Sequence, residues 1–411
     1  MIDMESGHSL SIVVVGTAMV LSLLLKMGCE RLRLPALVAC IALGLSFRLV
    51  DSRLPFLSHR TLAHLEFLAK LGVICLLFRI GLESKVRELL RQLRRAVPVW
   101  IGGVLTSGFL GYVAAAWFMK LEALQSLFIA VAFTATSVGM SVSVWQERQA
   151  LGSTTGQLLV DVAELDDLSG IVLMALLFSV VPAFHEGPSG SLTALILGAA
   201  AGIFGKLILF AAACLGFSLY LEERITGFFR RLESPTDFML GVAGIGFIIA
   251  ALAGLLGFST AIGAFFAGLA FSRDPDSVKI DASFEALHDL FSPFFFIGIG
   301  LMLKPEALAA ALGSGLLLTT AAFIGKILGH GLPAWLSAGK EDALLIGFSM
   351  TPRAEIAMII MEQGLAFGAS AVTGRSFAAM VMVSAATCVI GPVVVRRLLD
   401  HWPRNGGTGG S

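Results

Sequence analysis

The chain has 411 residues, of which 56% are hydrophobic and 14% charged, and its formal net charge is zero. A soluble domain of this length cannot bury so much apolar surface, and the mean hydropathy of +0.87 predicts membrane helices instead of a soluble enzyme. The balanced charge provides no basic footprint for nucleic acid. The five cysteines have no CxxC spacing, so they predict neither a zinc site nor a disulfide framework.

Apolar runs separated by charged residues or by Gly and Pro predict an all-α polytopic membrane protein with about thirteen transmembrane helices. The runs lie near 9–27, 34–50, 64–82, 97–118, 122–145, 154–183, 192–220, 235–256, 259–272, 288–303, 308–337, 341–367 and 375–395. The opening MIDMESGH has no basic region, so the first run is expected to be a retained helix and not a cleaved signal. We expect residues 1–400 to form one transmembrane transporter domain and the glycine-rich residues 401–411 to be disordered.

Clusters of Lys and Arg set the predicted orientation. They follow the first, third and seventh spans and the last one, at 26–33, 85–95, 224–231 and 396–404. Because basic loops remain in the cytoplasm, the pattern predicts an N-terminus outside, a cytoplasmic C-terminus and a location in the inner membrane of a cell.

The two halves of the chain resemble each other. The segment PALVACIALGLSF (35–47) matches TAIGAFFAGLAFS (260–272), and FRIGLE (78–83) matches IGIGLM (297–302). A third match aligns Phe133 and Glu147 with Phe348 and Glu362. The matches predict a first repeat at 9–183, a linker helix at 192–220 and a second repeat at 235–399. With about six spans in each, the second repeat must be inverted, as in many secondary transporters.

A few charged side chains fall inside these apolar spans, where each costs about 2.5–3.5 kcal/mol and usually has a function. They are Asp161, Glu164, Asp166 and Asp167 on the sixth span, Lys326 on the eleventh, and Arg353 and Glu355 on the twelfth. Counted from the start of the sixth span, Asp167 lies about 20 Å along it, and Lys326 lies at a similar depth.

The Asp166–Asp167 doublet is the strongest functional signal in the sequence. The two side chains point about 100° apart on a helix, so one can pair with Lys326 while the other faces an aqueous cavity. Glu164 shares the face of Asp167, and like charges this close resist simultaneous ionisation. Carboxylates that hold a proton in one state and a cation in another are what ion exchange requires. The alternative for Asp166 with Lys326 is a structural salt bridge.

Two other motifs, TATS (134–137) and MTPRAE (350–355), lie in the middle of apolar spans. Pro352 must interrupt its helix, which frees backbone carbonyls and creates opposed half-helix ends. Arg353 and Glu355 are expected mainly to satisfy those ends.

The hydroxyl groups of Thr134, Thr136 and Ser137 are hard oxygen ligands suited to Na⁺ or K⁺. The alternative is that these hydroxyls bond back to carbonyls of their own helix, as Ser and Thr commonly do in membrane helices.

Taken together, TATSVG, ELDDLSG, the mid-span Lys326 and TPRAE resemble the monovalent cation/proton antiporter superfamily, in its second branch, over almost the whole chain. The resemblance implies that Asp167 alternately carries Na⁺ and H⁺, that Asp166 pairs with Lys326, and that Thr136 and Ser137 line the site. It also implies a fold with crossed broken helices, a homodimer held by a rigid outer domain, and a core domain that moves like an elevator. The Asp166–Asp167 doublet is similar to that of the electrogenic sodium/proton antiporters of the family, so the resemblance also implies electrogenic exchange.

Two residues depart from the family pattern. Glu164 stands where a small or apolar residue is usual, and Ala354 stands where glycine is usual. An added acid on the Asp167 face is expected to affect cation choice, pH dependence or stoichiometry.

The sequence therefore predicts a sodium/proton antiporter. Its transported substrates are Na⁺ or Li⁺ and H⁺, which bind at Asp167 and Asp166, and no cofactor or resident metal is expected. One alternative is a K⁺/H⁺ antiporter. Another is a Na⁺-coupled symporter of an organic anion, in which Arg353 would bind the anion. A third is a membrane sensor that transports nothing.

Overall fold

The computed structural model describes residues 2–32, 34–84, 86–137, 139–185, 192–229, 235–272 and 277–402. Across these ranges the secondary structure is helical, which confirms the predicted all-α fold. Residues 403–411, most of the tail expected to be disordered, lie outside the described residues.

The chain divides into two compact units, and the first comprises Met1–Glu88, Ile171–Ala311 and Ile359–Ala378. Its complete helices are α1 (Ile2–Leu32), α2 (Ala36–Asp51), α3 (His59–Glu83), α8 (Leu192–Tyr220), α9 (Glu222–Phe229), α10 (Pro235–Leu255), α11 (Thr260–Phe271), α12 (Ser277–Met302) and α13 (Pro305–Ala310).

The second unit comprises Leu89–Gly170, Leu312–Met358 and Ala379–Ser411. It holds most of α4 (Val86–Val113), a π-helical turn (Ala114–Phe118), α5 (Ala123–Thr134), α6 (Gly139–Glu147), α14 (Leu312–Ala338) and α15 (Lys340–Ser349). Three further helices contribute residues to both units: α7 (Thr154–His185), α16 (Glu355–Ala366) and α17 (Gly374–His401).

Eight helices within the described part of the chain are long and apolar enough to cross a membrane, or nine if α8 and α9, bent by 53°, form one span. The helical, membrane-type architecture therefore agrees with the sequence, while the count of about thirteen spans and the inverted repeat stay predictions.

Glycines allow the helices of the first unit to pack with their backbones in contact. On α2 and α12, a Cβ added to Gly44 would lie 2.0 Å from the Ile297 carbonyl oxygen, and one added to Gly300 would lie 2.1 Å from that of Ile41. Small residues let membrane helices approach closely enough to gain dispersion energy along their length. The α2–α12 contact therefore depends on the absence of side chains at these two positions.

A buried tryptophan links α6 to α15 in the second unit. The Trp145 side chain is fully buried, and its Nε1 donates to the Ser349 hydroxyl at 2.9 Å. The end of α17 is joined to the same helices, since Arg396 donates to Glu147 at 2.9 Å and Trp402 donates to Asp342 at 2.9 Å. These contacts join α6, α15 and the end of α17, and Ser349 is the residue at which α15 ends before the interruption described below.

Gly300→Ala should destabilise the protein, because the added Cβ meets a backbone oxygen that cannot move without shifting α2. Overpacking of this kind costs about 1–3 kcal/mol. The matched control is Gly216→Ala in α8, where an added Cβ meets nothing within 4 Å. The measurement is the thermal unfolding midpoint of each purified variant, and equal midpoints for the two variants would contradict the packing argument.

Candidate ion-binding site

The predicted interruption at Pro352 is present. Helix α15 ends at Ser349 and α16 begins at Glu355, so the chain between them is not helical. Proline lacks the N–H that a helix needs, and it disfavours the α conformation in the residue before it. The chain therefore leaves the helix at Met350 and resumes only after Ala354.

A second interruption follows α5, which ends at Thr134, and precedes α6, which begins at Gly139. The backbone N–H of Ser137 donates to the Pro352 carbonyl oxygen at 2.8 Å. This bond joins the two interruptions, so that the TATS and MTPRAE motifs lie against each other. Backbone groups freed in one broken helix are thus partly satisfied by the other.

Asp166 on α7 is fully buried beside these interruptions. Its Oδ2 accepts hydrogen bonds from Lys326 Nζ at 2.6 Å and from the Thr136 hydroxyl. Its Oδ1 is also buried and has no hydrogen-bond partner among the residues that the structure describes. One oxygen of this carboxylate is therefore held twice and the other is available as a ligand.

Lys326 on α14 is fully buried and joins two parts of the site. Besides its ion pair with Asp166, its Nζ donates to the Thr134 carbonyl oxygen at 2.7 Å. Thr134 is the last residue of α5, and a cation is favourable at the negative end of a helix. The ammonium therefore compensates both the carboxylate and the end of the half-helix.

The guanidinium of Arg353 is fully buried and donates to backbone carbonyls. Its Nη2 lies 3.1 Å from the Phe133 oxygen and 3.3 Å from that of Ala322, and Nη1 lies 3.0 Å from the Thr351 oxygen. The guanidinium also stacks over the Phe133 ring, 5.0 Å from its centroid. Arg353 thus satisfies carbonyls at the end of α5, on α14 and within the second interruption.

The three hydroxyl residues of TATS have different surroundings. The Thr136 hydroxyl reaches Asp166 and lies 3.4 Å from the Met350 carbonyl oxygen. The Thr134 hydroxyl donates to the Val131 carbonyl at 2.8 Å, which is the local alternative left open by the sequence. Thr134 therefore contributes its carbonyl to the site, and Ser137, which is buried, contributes its N–H to the junction.

The other predicted carboxylates are less deeply placed. Asp167 and Glu164 are partly buried on α7, and Glu355 is partly buried in the first turn of α16. An acid in a first turn is favourable because the helix N-terminus carries partial positive charge. Asp167 thus follows a fully buried aspartate directly in sequence while keeping some exposure of its own.

Two residues that the sequence did not single out form a hydrogen-bond chain to the backbone of Asp166. The Ser169 hydroxyl donates to the Asp166 carbonyl at 3.0 Å and accepts a hydrogen bond from Trp100 Nε1 at 2.9 Å. A serine one turn later and a tryptophan on α4 are unremarkable in an apolar span. Their role is visible only after the helices have packed.

Comparison with known proteins agrees with the fold. Residues 16–401 match the family described as the transmembrane sodium/hydrogen exchanger. A Na⁺/H⁺ antiporter from Enterococcus hirae is 28% identical over 371 residues, which cover 89% of this chain and 92% of the relative. The high-affinity Na⁺/H⁺ antiporter NhaS3 from Synechocystis sp. is 27% identical over 341 residues, covering 82% and 72%.

A solved structure supports the fold. The sodium proton antiporter MjNhaP1 from Methanocaldococcus jannaschii, determined at pH 8, superimposes with a TM-score of 0.69 and 17% sequence identity. The superposition covers 96% of this chain and 97% of that protein. Since the family match also extends over almost the whole chain, this protein belongs to the sodium/hydrogen exchanger family of membrane transporters.

Proposed function

We propose that this protein is a secondary-active antiporter that exchanges Na⁺ or Li⁺ for H⁺ across the membrane. The observation that carries the proposal is the buried carboxylate of Asp166, with one oxygen paired to Lys326 and the other without a hydrogen-bond partner among the described residues. The two relatives described above are both named as Na⁺/H⁺ antiporters, which points to the same substrates.

Charge balance at the site provides the mechanism. Asp166 and Asp167 are adjacent carboxylates, and Lys326 supplies one compensating charge to Asp166. We infer that a proton or a bound cation is held at this pair of acids, because like charges this close resist simultaneous ionisation. We assign the alternating H⁺ or Na⁺ load to Asp167. Proton and metal compete for the same oxygens, so the gradient of one ion drives the other without ATP.

Loading also involves the ion pair. A cation that binds the Asp166 carboxylate weakens its attraction for Lys326, which retains the Thr134 carbonyl as a hydrogen-bond acceptor. The Thr136 hydroxyl and the Met350 carbonyl lie on the same side of the site and are oxygen ligands of the kind that Na⁺ prefers. Ser137 is the remaining residue of the proposed cation-binding set.

Arg353, Pro352, Glu355 and Thr134 are assigned supporting roles at the interruptions. The guanidinium donates to three backbone carbonyls in the structure. This use of its N–H groups disfavours the symporter alternative, in which Arg353 would bind an organic anion. K⁺/H⁺ exchange stays the alternative for cation choice, because oxygen ligands alone do not separate Na⁺ from K⁺.

The remaining features of the proposal follow from the sequence and the family resemblance. We propose a homodimer in the inner membrane with the N-terminus outside and the C-terminus in the cytoplasm. We also propose an elevator-type movement, electrogenic exchange and membership of the second branch of the superfamily. Glu164 is proposed to tune the pH dependence from the same helix face as Asp167.

The test of the proposed function is proton flux in liposomes that contain the purified protein. Adding Na⁺ or Li⁺ should drive proton movement, and clamping the voltage with valinomycin and K⁺ should change the rate if exchange is electrogenic. Proton movement driven by K⁺ alone would transfer the proposal to the potassium exchanger. The absence of flux with any of the three cations would overturn it.

Asp167→Asn should abolish cation-driven proton flux, because the amide can neither carry a proton at this site nor balance a cation. The fold should remain, since Asp167 is only partly buried. Glu164→Gln is the matched control: it makes the same chemical change on the same helix face and should shift the pH profile without abolishing exchange. Appreciable Na⁺-driven flux in Asp167→Asn would remove this residue from the carrier role.

Lys326→Met should destabilise the protein by about 3–5 kcal/mol, because it leaves a buried carboxylate without its partner. Asp166→Asn in the same chain should restore much of that loss, and the double variant closes a thermodynamic cycle that isolates the pair. The measurement is the unfolding free energy of the two single variants and the double variant. Strict additivity of the two single effects would show that the ion pair contributes nothing to stability.

A further inference from the structure

The last helix, α17, contacts the Pro352 interruption through residues that the exchange mechanism above does not use. Thr387, Cys388 and Gly391 lie on α17, and the side chains of the first two are fully buried. Gly391 follows the other two by four and three residues, so all three share one side of the helix. They face the non-helical segment between α15 and α16, which belongs to the same compact unit as this part of α17.

The backbone of Arg353 is held by two of these residues. Arg353 lies within the interruption, so its N–H and C=O need hydrogen-bond partners from outside a helix. The N–H donates to the Thr387 hydroxyl oxygen at 3.3 Å, and the carbonyl oxygen accepts from the Cys388 thiol, whose Sγ lies 3.3 Å away. The Thr387 hydroxyl donates its own hydrogen to the Val383 carbonyl at 2.8 Å, which leaves its oxygen able to accept. Two consecutive side chains of α17 therefore hold both polar groups of one backbone residue.

Gly391 brings α17 close to the residues just before Arg353. A Cβ added at Gly391 would lie 2.5 Å from the Thr351 hydroxyl oxygen and 3.2 Å from Pro352 Cγ. The Thr351 side chain is fully buried and donates to the Phe348 carbonyl at 2.8 Å, so it has little freedom to move aside. The contact between α17 and the interruption therefore depends on the absence of a side chain at position 391.

The segment held by α17 also supplies oxygens at the candidate ion-binding site. The Met350 carbonyl oxygen lies 3.4 Å from the Thr136 hydroxyl, and the Pro352 carbonyl oxygen accepts from the Ser137 N–H at 2.8 Å. Both carbonyls are within three residues of Arg353 on a continuous chain. A shift of the Arg353 backbone would therefore move them relative to the rest of the site.

We propose that Thr387 and Cys388 are positioning residues for cation binding. By holding the N–H and C=O of Arg353, they keep the Met350 carbonyl where it can serve, with the Thr136 hydroxyl, as an oxygen ligand. Neither side chain touches the cation, and both act through the Arg353 backbone. This inference rests on the proposed function, because it takes Na⁺ or Li⁺ as the ion that binds at the site.

The first test is Thr387→Val, which keeps the shape of the side chain and removes the oxygen that accepts the Arg353 N–H. The dissociation constant for Na⁺ should increase by roughly two- to tenfold, the equivalent of one lost hydrogen bond. It is measured from the rise of the unfolding temperature with Na⁺ concentration, with choline keeping the ionic strength constant. Thr387→Ser retains the hydroxyl and should keep the constant near that of the unmodified protein. An unchanged constant in Thr387→Val would overturn the role of Thr387.

Thr226→Val on α9 is the matched control. Thr226 is buried, and its hydroxyl donates to the carbonyls of Glu222 at 2.9 Å and Glu223 at 3.3 Å, four and three residues earlier. Thr387 makes the same pair of bonds within α17. The control therefore loses the same local bonds but no acceptor for Arg353, and its Na⁺ constant should stay unchanged whatever its unfolding temperature. An equal increase in both variants would reduce the effect to a general loss of packing and overturn the proposal.

Cys388→Ala is an independent measurement on the other side of the Arg353 backbone, and it decides the proposal if Thr387→Val does not fold. Removing the thiol donor should weaken Na⁺ binding in the same direction, while Cys388→Ser, which keeps a donor, should weaken it less. Cys75→Ala, at an equally buried thiol on α3, is its control. A Na⁺ constant in Cys388→Ala equal to that of Cys75→Ala would remove Cys388 from the positioning role.

Proton flux in liposomes separates this inference from the proposed function. Thr387→Val should need more Na⁺ for half-maximal exchange, with a larger effect on that concentration than on the maximal rate. If the unmodified protein binds Na⁺ but moves no protons, the proposed function is overturned, and the binding constants still decide the positioning role. If neither Na⁺ nor Li⁺ stabilises the unmodified protein, both proposals are overturned.

Discussion

The buried ion pair between Asp166 and Lys326 is the constraint on which the rest of the site depends. Neither side chain is reached by solvent, and removing two charges from water is repaid only when their other polar atoms are also satisfied. The Thr134 carbonyl accepts a second hydrogen bond from Lys326 Nζ, and the Thr136 hydroxyl donates a second hydrogen bond to Asp166 Oδ2. Asp166 Oδ1 is left as the site's open position among the described residues.

Two interrupted helices make that arrangement possible. A continuous α5 would satisfy the Thr134 carbonyl internally, and Lys326 would lose its second acceptor. The interruptions create further carbonyls that need donors, and the buried guanidinium of Arg353 donates to those of Phe133 and Thr351 as well as to Ala322 on α14. The site therefore contains two buried cations with different partners: the Lys326 ammonium pairs with the Asp166 carboxylate, and the Arg353 guanidinium binds carbonyls at the interrupted helices. A hydrogen bond between Trp145 and Ser349 joins the half-helices α6 and α15 that border the interruptions.

Both compact units have glycine-mediated helix contacts, at Gly44 and Gly300 in the first and at Gly102 and Gly329 in the second, and the second unit adds a polar centre. In the first, glycines bring α2 and α12 into backbone contact, which requires good surface fit and no polar partners. In the second, polar groups from helices distant in sequence meet at the interruptions. A transporter needs both properties: rigid apolar packing resists deformation in the membrane, and a polar centre can exchange its partners when an ion binds.

Much of the site was predictable from local sequence, because a charge in an apolar span is costly and therefore conspicuous. The Asp166–Asp167 doublet, Lys326 and the interruption at Pro352 all stand out against their neighbours on this ground. The helical architecture follows from the same patterning, since a bilayer offers no water to backbone polar groups and a helix satisfies them within one segment.

The pairing of individual atoms was not predictable in this way. Thr134 acts through its carbonyl while its hydroxyl bonds to its own helix, and Trp100 and Ser169 support Asp166 from positions that no pattern marks. The contacts that join different helices at the site connect residues from 30 to more than 200 positions apart, as between Thr136 and Asp166 or between Phe133 and Arg353. Composition and periodicity describe a residue's neighbours along the chain, whereas hydrogen bonds depend on distances of a few ångströms that arise only when the helices pack.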